Sequence, residues 1–389
     1  MHPREWSGQG NSGRYTAVRI LICPDKFAGS IDAVPAARAI ASGWRATNPA
    51  DDLVERPLSD GGPGFVDVLA SALNGRDVIV DTVDPLGRPA KATIHVKGST
   101  GYVESAHACG LHLLAPSDRD PKRTTSYGLG LLILAAIEHG ATRVVIGLGG
   151  SAVNDAGAGM LAALDAAPLD AAGYALPYGG AALTAAEGLT GTPRIRGAEL
   201  IAATDVDNPL TGLHGASAVY GPQKGADRED VFLLDRALER FGTLLQGLPT
   251  APPGLAALPG AGAAGGIGAA ILALGGHCES GIGLVTRLTG LPEALDAAEL
   301  VVTGEGSFDH QSLRGKVVAG VAAGARDRGL PCVVLAGRVS TGRREAAAAG
   351  VTETYSLVDF FDGDEQAAMA RPADGLAALA GRLAGQYSR

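Results

Sequence analysis

Apolar and polar positions along this chain fall into blocks whose spacing changes in a regular way. Residues 18–23 form a short, mostly apolar run that predicts a buried strand, and 31–47 carries apolar positions at helical spacing. An extended 53–58, a helical 65–73 and an extended 77–83 continue the alternation. Strand and helix in turn predict a parallel sheet covered by helices. The turn Asp84-Pro85-Leu86-Gly87 interrupts the series, and the pieces after it, 91–96 and 101–104, read as antiparallel strands.

The centre predicts a helix over 126–139, strands at 143–148 and 199–204, and a helix over 226–245. Residues 248–268, dense in Pro, Gly and Ala, read as a long loop or domain crossing. The opening style then returns, with strands at 300–303 and 332–336 and helices over 312–328 and 375–383. The simplest arrangement is an α/β fold of two α/β domains. A flavodoxin- or Rossmann-like parallel-sheet domain takes 17–85 and 285–389, and a mixed α/β domain, 86–284, is inserted into it. Residues 1–16 are polar and Gly/Ser-rich, which predicts a flexible leader without the apolar stretch of a secretory signal.

A chain of 389 residues exceeds the roughly 250–300 at which single cores stop growing, which agrees with two domains. The net charge of −9 argues against nucleic acid as a partner, because a basic face is needed to replace phosphate counterions. No run of about 18 apolar residues is present to span a membrane. Cys23, Cys109, Cys278 and Cys332 form no close pair and no metal-ligand spacing, which predicts reduced thiols and a cytoplasmic location. Oligomeric state is not legible. Only six of the 32 basic residues are Lys, yet Lys26, Lys224 and Lys316 each sit in a glycine-containing polar motif. A compact ammonium and a guanidinium fork differ in what they can contact, so a local demand for Lys is implied.

Five segments repeat one design, a strand running into glycine plus carboxylate: PDKFAGS (24–30), SDGGPG (59–64), GLGGSAVNDAGAG (147–159), TDVDNPLTG (204–212) and TGEGSFDHQS (303–312). Parallel strands deliver their carboxyl ends to one rim, where open α/β sheets bind ligands. In the last segment Glu305 and Asp309 can bind a metal or take a proton, and Lys316 can hold a phosphate; a strand exit with solvated charges explains the same letters. Successive glycines and Ser151 at a predicted helix start make a cradle for phosphate oxygens, with Asn154 and Asp155 within reach of a nucleotide or metal. A glycine-rich turn capped by Ser151 is the structural alternative. Asp25 and Lys26 end the first strand, with Ser30 as the expected cap of the next helix. Asp205, Asp207 and Asn208 suit Mg²⁺ with retained waters, or an Asx turn before Pro209. Lys224, in GPQKGA, favours a site. Gly260, Gly262 and Gly265 match a dinucleotide spacing, but Pro252, Pro253 and Pro259 stand where its strand is required. Gly315-Lys316 lacks the rest of a Walker loop.

These motifs in this order, together with VESAHACGL, TSYGLG and DVDNPLTGLHGASAVYGPQKGA, resemble the bacterial glycerate kinase family of the type-1 class over nearly the whole chain. The resemblance implies ATP-dependent phosphorylation of D-glycerate, with 2-phosphoglycerate favoured, Mg²⁺ dependence, and two α/β domains, one inserted in the other. Phosphoryl transfer asks for positioning and charge neutralisation, which a rim of Gly, Lys and carboxylates can supply. In that reading Asp309 orients or deprotonates the acceptor hydroxyl and Lys26 stabilises the transferred phosphate. Gly149, Gly150, Ser151, Asn154, Asp155 and Lys224 hold the nucleotide. Asp25, Ser30, Asp60, Gln311 and Lys316 bind substrate, and Asp205, Asp207 and Glu305 hold Mg²⁺. Ala28 and Pro63 stand where the family pattern has Lys and Glu, and Val153 and Ala156 where Thr and Gly are common. A kinase of a related hydroxy acid, or a non-catalytic ligand-binding relative, are the alternatives those departures leave open. A galactokinase-like enzyme, which GLGGSA also resembles, is disfavoured by the alternating strand and helix of the first residues.

Overall fold

The computed structural model describes residues 17–310, 312–313 and 317–387. The expected leader, 1–16, and the candidate residues Gln311 and Lys316 lie outside the described residues. In chain order the first strands are β1 (Arg19–Ile22), β2 (Asp52–Glu55), β3 (Arg76–Val83), β4 (Pro89–Lys97), β5 (Thr100–Glu104) and β6 (Arg143–Gly147). A two-residue ribbon, β7 (Pro168–Leu169) with β8 (Gly188–Leu189), precedes β9 (Glu199–Ala203) and β10 (His277–Glu279). The chain ends with β11 (Leu300–Phe308), β12 (Cys332–Val339) and β13 (Glu353–Ser356).

Five strands in the order β13-β12-β11-β1-β2 form a wholly parallel sheet. Its inner strand β1 explains why it must be covered on both faces: Ile20, Leu21 and Ile22 are all fully buried. On one face Ile20, Ile22, Val302 and Leu335 pack with Ile40 and Trp44 of the helix Ala33–Thr47 and with Leu376 and Leu383 of the helix Pro372–Tyr387. Each such side chain contributes about 1.5–3 kcal/mol on burial. On the other face Leu21, Val301 and Val334 join Phe65 and Leu69 of the helix Phe65–Ala72. That same layer takes in Tyr102, Val145 and Ile201 of the second sheet, so one continuous apolar layer joins the two sheets.

The second sheet, β10-β9-β6-β5-β4-β3, is mixed, with β3, β4 and β5 antiparallel and the rest parallel. The strand expected over 77–83 therefore corrects the sequence reading, because as β3 it pairs antiparallel with β4 instead of joining the parallel sheet. Most of its residues stay partly or fully exposed, whereas a strand inside a parallel sheet is buried on both sides. The turn after it closes the hairpin: the Asp84 carboxylate accepts from Leu86 N–H at 2.8 Å and Arg88 N–H at 3.0 Å. The expected loop over 248–268 is also corrected, since a helix, Ala263–Ala273, begins inside it. Left-handed backbone at Ala264, Gly265 and Gly266 breaks its first turn, which is what the glycines there signalled. No helix among the described residues is long and apolar enough to cross a membrane.

Candidate active site

The carboxyl end of β1 does not leave the sheet at once. Cys23 N–H donates to Val302 O and Asp25 N–H to Gly304 O, both at 2.8 Å, so the PDKFAGS segment runs on beside β11. The contact needs glycine, because a Cβ on Gly306 would lie 3.0 Å from Ala28 N. Strand β11 is correspondingly longer than expected. It pairs with β12 through Glu305 and Phe308, so Glu305 is a buried residue inside the strand and Asp309 is the first carboxylate beyond it. Asp309 and Ser312 then form a tight turn: Asp309 N–H donates to Ser312 Oγ at 3.1 Å and Ser312 N–H to Asp309 Oδ1 at 3.3 Å. Ser30 does not cap the next helix, where Asp32 holds that position; its hydroxyl donates to Phe27 O at 3.1 Å and closes the loop.

Lys26 Nζ lies 3.2 Å from Asp60 Oδ1, and that oxygen also accepts from Gly62 N–H at 3.0 Å. Both side chains keep solvent contact, Lys26 at 20% and Asp60 at 45%. Burial pulls the Lys26 ammonium down, but Asp25, Asp60 and Glu104 outweigh it and its pKa is raised. Burial pushes the Asp60 carboxyl up, yet Lys26 and the Gly62 N–H hold it below the usual carboxylate range. The pair is therefore fully charged around neutral pH.

Asp60 sits in the SDGGPG segment, which bridges the two rims. Gly62 faces the glycine loop after β6 so closely that a Cβ on Gly149 would fall 2.3 Å from Gly62 Cα. Gly150 takes left-handed backbone, φ 68°, which turns the loop at that contact. Under the loop lies Lys224, 2% exposed, whose Nζ donates to Val153 O at 2.6 Å and to Ser151 Oγ at 3.2 Å. Burial drives its pKa down to about 8 against the pull of Asp155 and Cys109. The buried Asp155 carboxylate accepts from Ser126 N–H and Ser126 Oγ at 2.8 Å and from Gly157 and Gly159 N–H at 3.2 Å. Burial pushes that carboxyl up against those hydrogen bonds. Asn154 Nδ2 donates to Ser217 Oγ at 2.9 Å, while Asn154 Oδ1 is buried without a hydrogen-bond partner among the described residues. Lys224 and Asp155 thus hold the loop from its buried side; Gly150 is its exposed residue, with the Pro63 ring against it, while Ser151 is buried.

The carboxylates expected to share a metal are not gathered. Asp205 Oδ1 accepts from Ser280 Oγ at 2.6 Å and Oδ2 from Ile282 N–H at 3.0 Å, so it anchors the start of the helix Gly281–Leu288. Asp207 is exposed beside it, and Glu305 belongs to the other sheet. Among the described residues no three His, Cys, Asp or Glu side chains form a cation-binding group. Asn208 Nδ2 donates to His214 O and its Oδ1 accepts from the Tyr220 hydroxyl, both at 2.8 Å, while Leu210 N–H goes to Ala256 O, so the expected Asx turn does not form on Asn208.

Glu104, which the sequence reading did not single out, closes β5 at the same junction. It is 1% exposed, accepts from Gly64 N–H at 3.1 Å and Val66 N–H at 3.3 Å, and has His107 Nε2 at 3.6 Å. Burial pushes its carboxyl up while His107 draws it down. An acid ending an apolar run is the signal the five motifs share, and VESAHACGL carries it too.

A sequence model of the family described as the glycerate kinase family matches residues 20–388. The glycerate 2-kinase of Escherichia coli (strain K12) is 39% identical over 347 residues, covering 88% of this chain and 91% of that one. The glycerate kinase of Bacillus subtilis (strain 168) is likewise 39% identical, covering 88% and 90%. A solved structure from Salmonella typhimurium LT2, provisionally described as glycerate kinase 2, superposes with a TM-score of 0.79 at 37% identity, covering 96% of this chain and 98% of that one.

Proposed function

The chain belongs to the glycerate kinase family, and from that premise we propose that it transfers the terminal phosphoryl group of ATP to a hydroxyl of D-glycerate, with 2-phosphoglycerate as product. The observation that carries this reading is the Lys26–Asp60 pair, held charged and part-exposed where the two sheet rims meet over the glycine loop. The exposed backbone at Gly150, bare of a side chain of its own beside the Pro63 ring, suits close approach of phosphate oxygens. Asp309, one residue past the end of β11, takes the acceptor hydroxyl proton as the new O–P bond forms and the bond to ADP breaks. Lys26 meets the charge on the transferring phosphoryl oxygens, and Asp60 holds the ammonium in place. Mg²⁺, arriving with the nucleotide, would neutralise the β- and γ-phosphate oxygens. The described carboxylates do not preassemble a site for it, so no step is assigned to the ion.

The test is turnover. Incubation with MgATP and a panel of small hydroxy acids should release ADP with D-glycerate as the strongest stimulant, and phosphorus NMR should place the phosphate on the 2-hydroxyl. No substrate-stimulated ADP across the panel would overturn the kinase reading. A different preferred acid would retain it and place the departure at Ala28 and Pro63.

A further inference from the structure

Beside the glycine loop lies a cavity of about 240 Å³ that the reaction described above does not use. Tyr127 and Tyr178, at 5.2 Å between ring centroids, line it together with Leu176, Pro177, Leu183 and Gly159. Its position follows from the fold. The helix Tyr127–Glu138 precedes β6 and the helix Ala158–Ala163 follows it, so both start at the rim where the parallel strands of the mixed sheet end. The pocket is tied to the loop from two sides. Thr124 Oγ1, three residues before Tyr127, donates to Ala152 O at 2.9 Å, and Gly159 N–H donates to the Asp155 carboxylate at 3.2 Å. Tyr178 remains 53% exposed, so its ring is open to a ligand from solvent.

Binding sites for small planar ligands combine an apolar slot with aromatic faces, and base–aromatic stacking is tolerant of base identity. A volume of about 240 Å³ is too small for a whole nucleotide beside the roughly 300–1,000 Å³ of ordinary ligand pockets, but it suits one heteroaromatic ring system. We propose that this pocket receives the nucleobase of the phosphoryl donor, stacked on Tyr178, while the triphosphate passes over the exposed backbone at Gly150. The proposal rests on the nucleotide-dependent reading above and adds a location to it.

Calorimetric titration of the full chain with a non-hydrolysable ATP analogue and, separately, with inorganic triphosphate separates base from phosphate recognition. Tyr178→Ala should weaken the analogue about tenfold and leave triphosphate affinity unchanged. Ala162→Phe, which fills the pocket from the adjoining helix, should act in the same direction, with the unfolding midpoint recorded to confirm a folded variant. Unchanged analogue affinity in both folded variants would overturn the pocket assignment, and so would equal losses for analogue and triphosphate. If the parent chain binds the analogue no more tightly than triphosphate, base recognition is absent and the assignment also fails. Failure of ADP release in the parent chain is a separate result that bears on the kinase reading.

Discussion

At the rim of the parallel sheet Lys26 keeps 20% of its side chain in solvent and its partner Asp60 keeps 45%. At the rim of the mixed sheet the corresponding letters, Lys224 and Asp155, are 2% and 1% exposed and hydrogen-bond to the chain itself. The first pair can meet a ligand without losing its structure. The second cannot leave its partners without collapsing the loop it supports. A lysine and a carboxylate in a glycine frame therefore occupy two environments here, and the proposed mechanism gives them two jobs, one at the reaction and one in holding the loop.

Substitutions should separate the two jobs. Asp155→Ala leaves Ser126 N–H and Oγ and the Gly157 and Gly159 N–H groups without their acceptor. At about 1–3 kcal/mol for each buried donor, a loss of about 4 kcal/mol or more is expected in urea unfolding. A near-normal midpoint would mean that Asp155 does not hold the loop.

Lys224 gives a pH test. Its pKa is about 8 when folded and near 10.4 when unfolded, so between those values the unfolded chain binds more protons and stability rises with pH. Below about pH 8 the cost of the buried ammonium is fully present. Relative to Lys224→Met, the parent chain should gain up to about 3 kcal/mol between pH 7.5 and 10.5. A flat difference across that range would show that Lys224 is not a buried ammonium.

Smaller effects belong to the rims' edges. Asp309→Asn should lower kcat about 100-fold with nucleotide affinity nearly intact; a normal kcat would remove its role as proton acceptor. Asp205→Ala should cost only about 1 kcal/mol of stability, as expected for losing an anchor at a helix start. A loss of Mg²⁺-dependent turnover with unchanged stability would instead return Asp205 to the metal-binding role.

The difference between the rims was only partly legible in the sequence. Strand-then-glycine-then-carboxylate marks chain that reaches a sheet rim, and the junction of PDKFAGS, SDGGPG and the glycine loop was legible in that sense. Burial was not, because Lys224 meets Val153 and Ser151 across more than 70 residues of chain. Asp205 likewise finds Ile282 at a separation of 77 residues. Nor could local pattern show that β11 continues through Gly304 and Gly306. Glycine ordinarily weakens a strand, and only the Leu335 carbonyl and Phe27 ring against Gly304 and the Phe27–Ala28 backbone against Gly306 explain them. The pairing of β3 was not legible either, since its exposure, which argues against a parallel sheet, shows only in the fold.

In the proposed mechanism the exposed pair, and not the buried one, carries the transfer. Lys26→Met, assayed with MgATP and D-glycerate, tests it most directly. A fall in kcat of at least about 100-fold is expected, with the unfolding midpoint and nucleotide affinity close to the parent values. An unchanged kcat in that folded variant would contradict it.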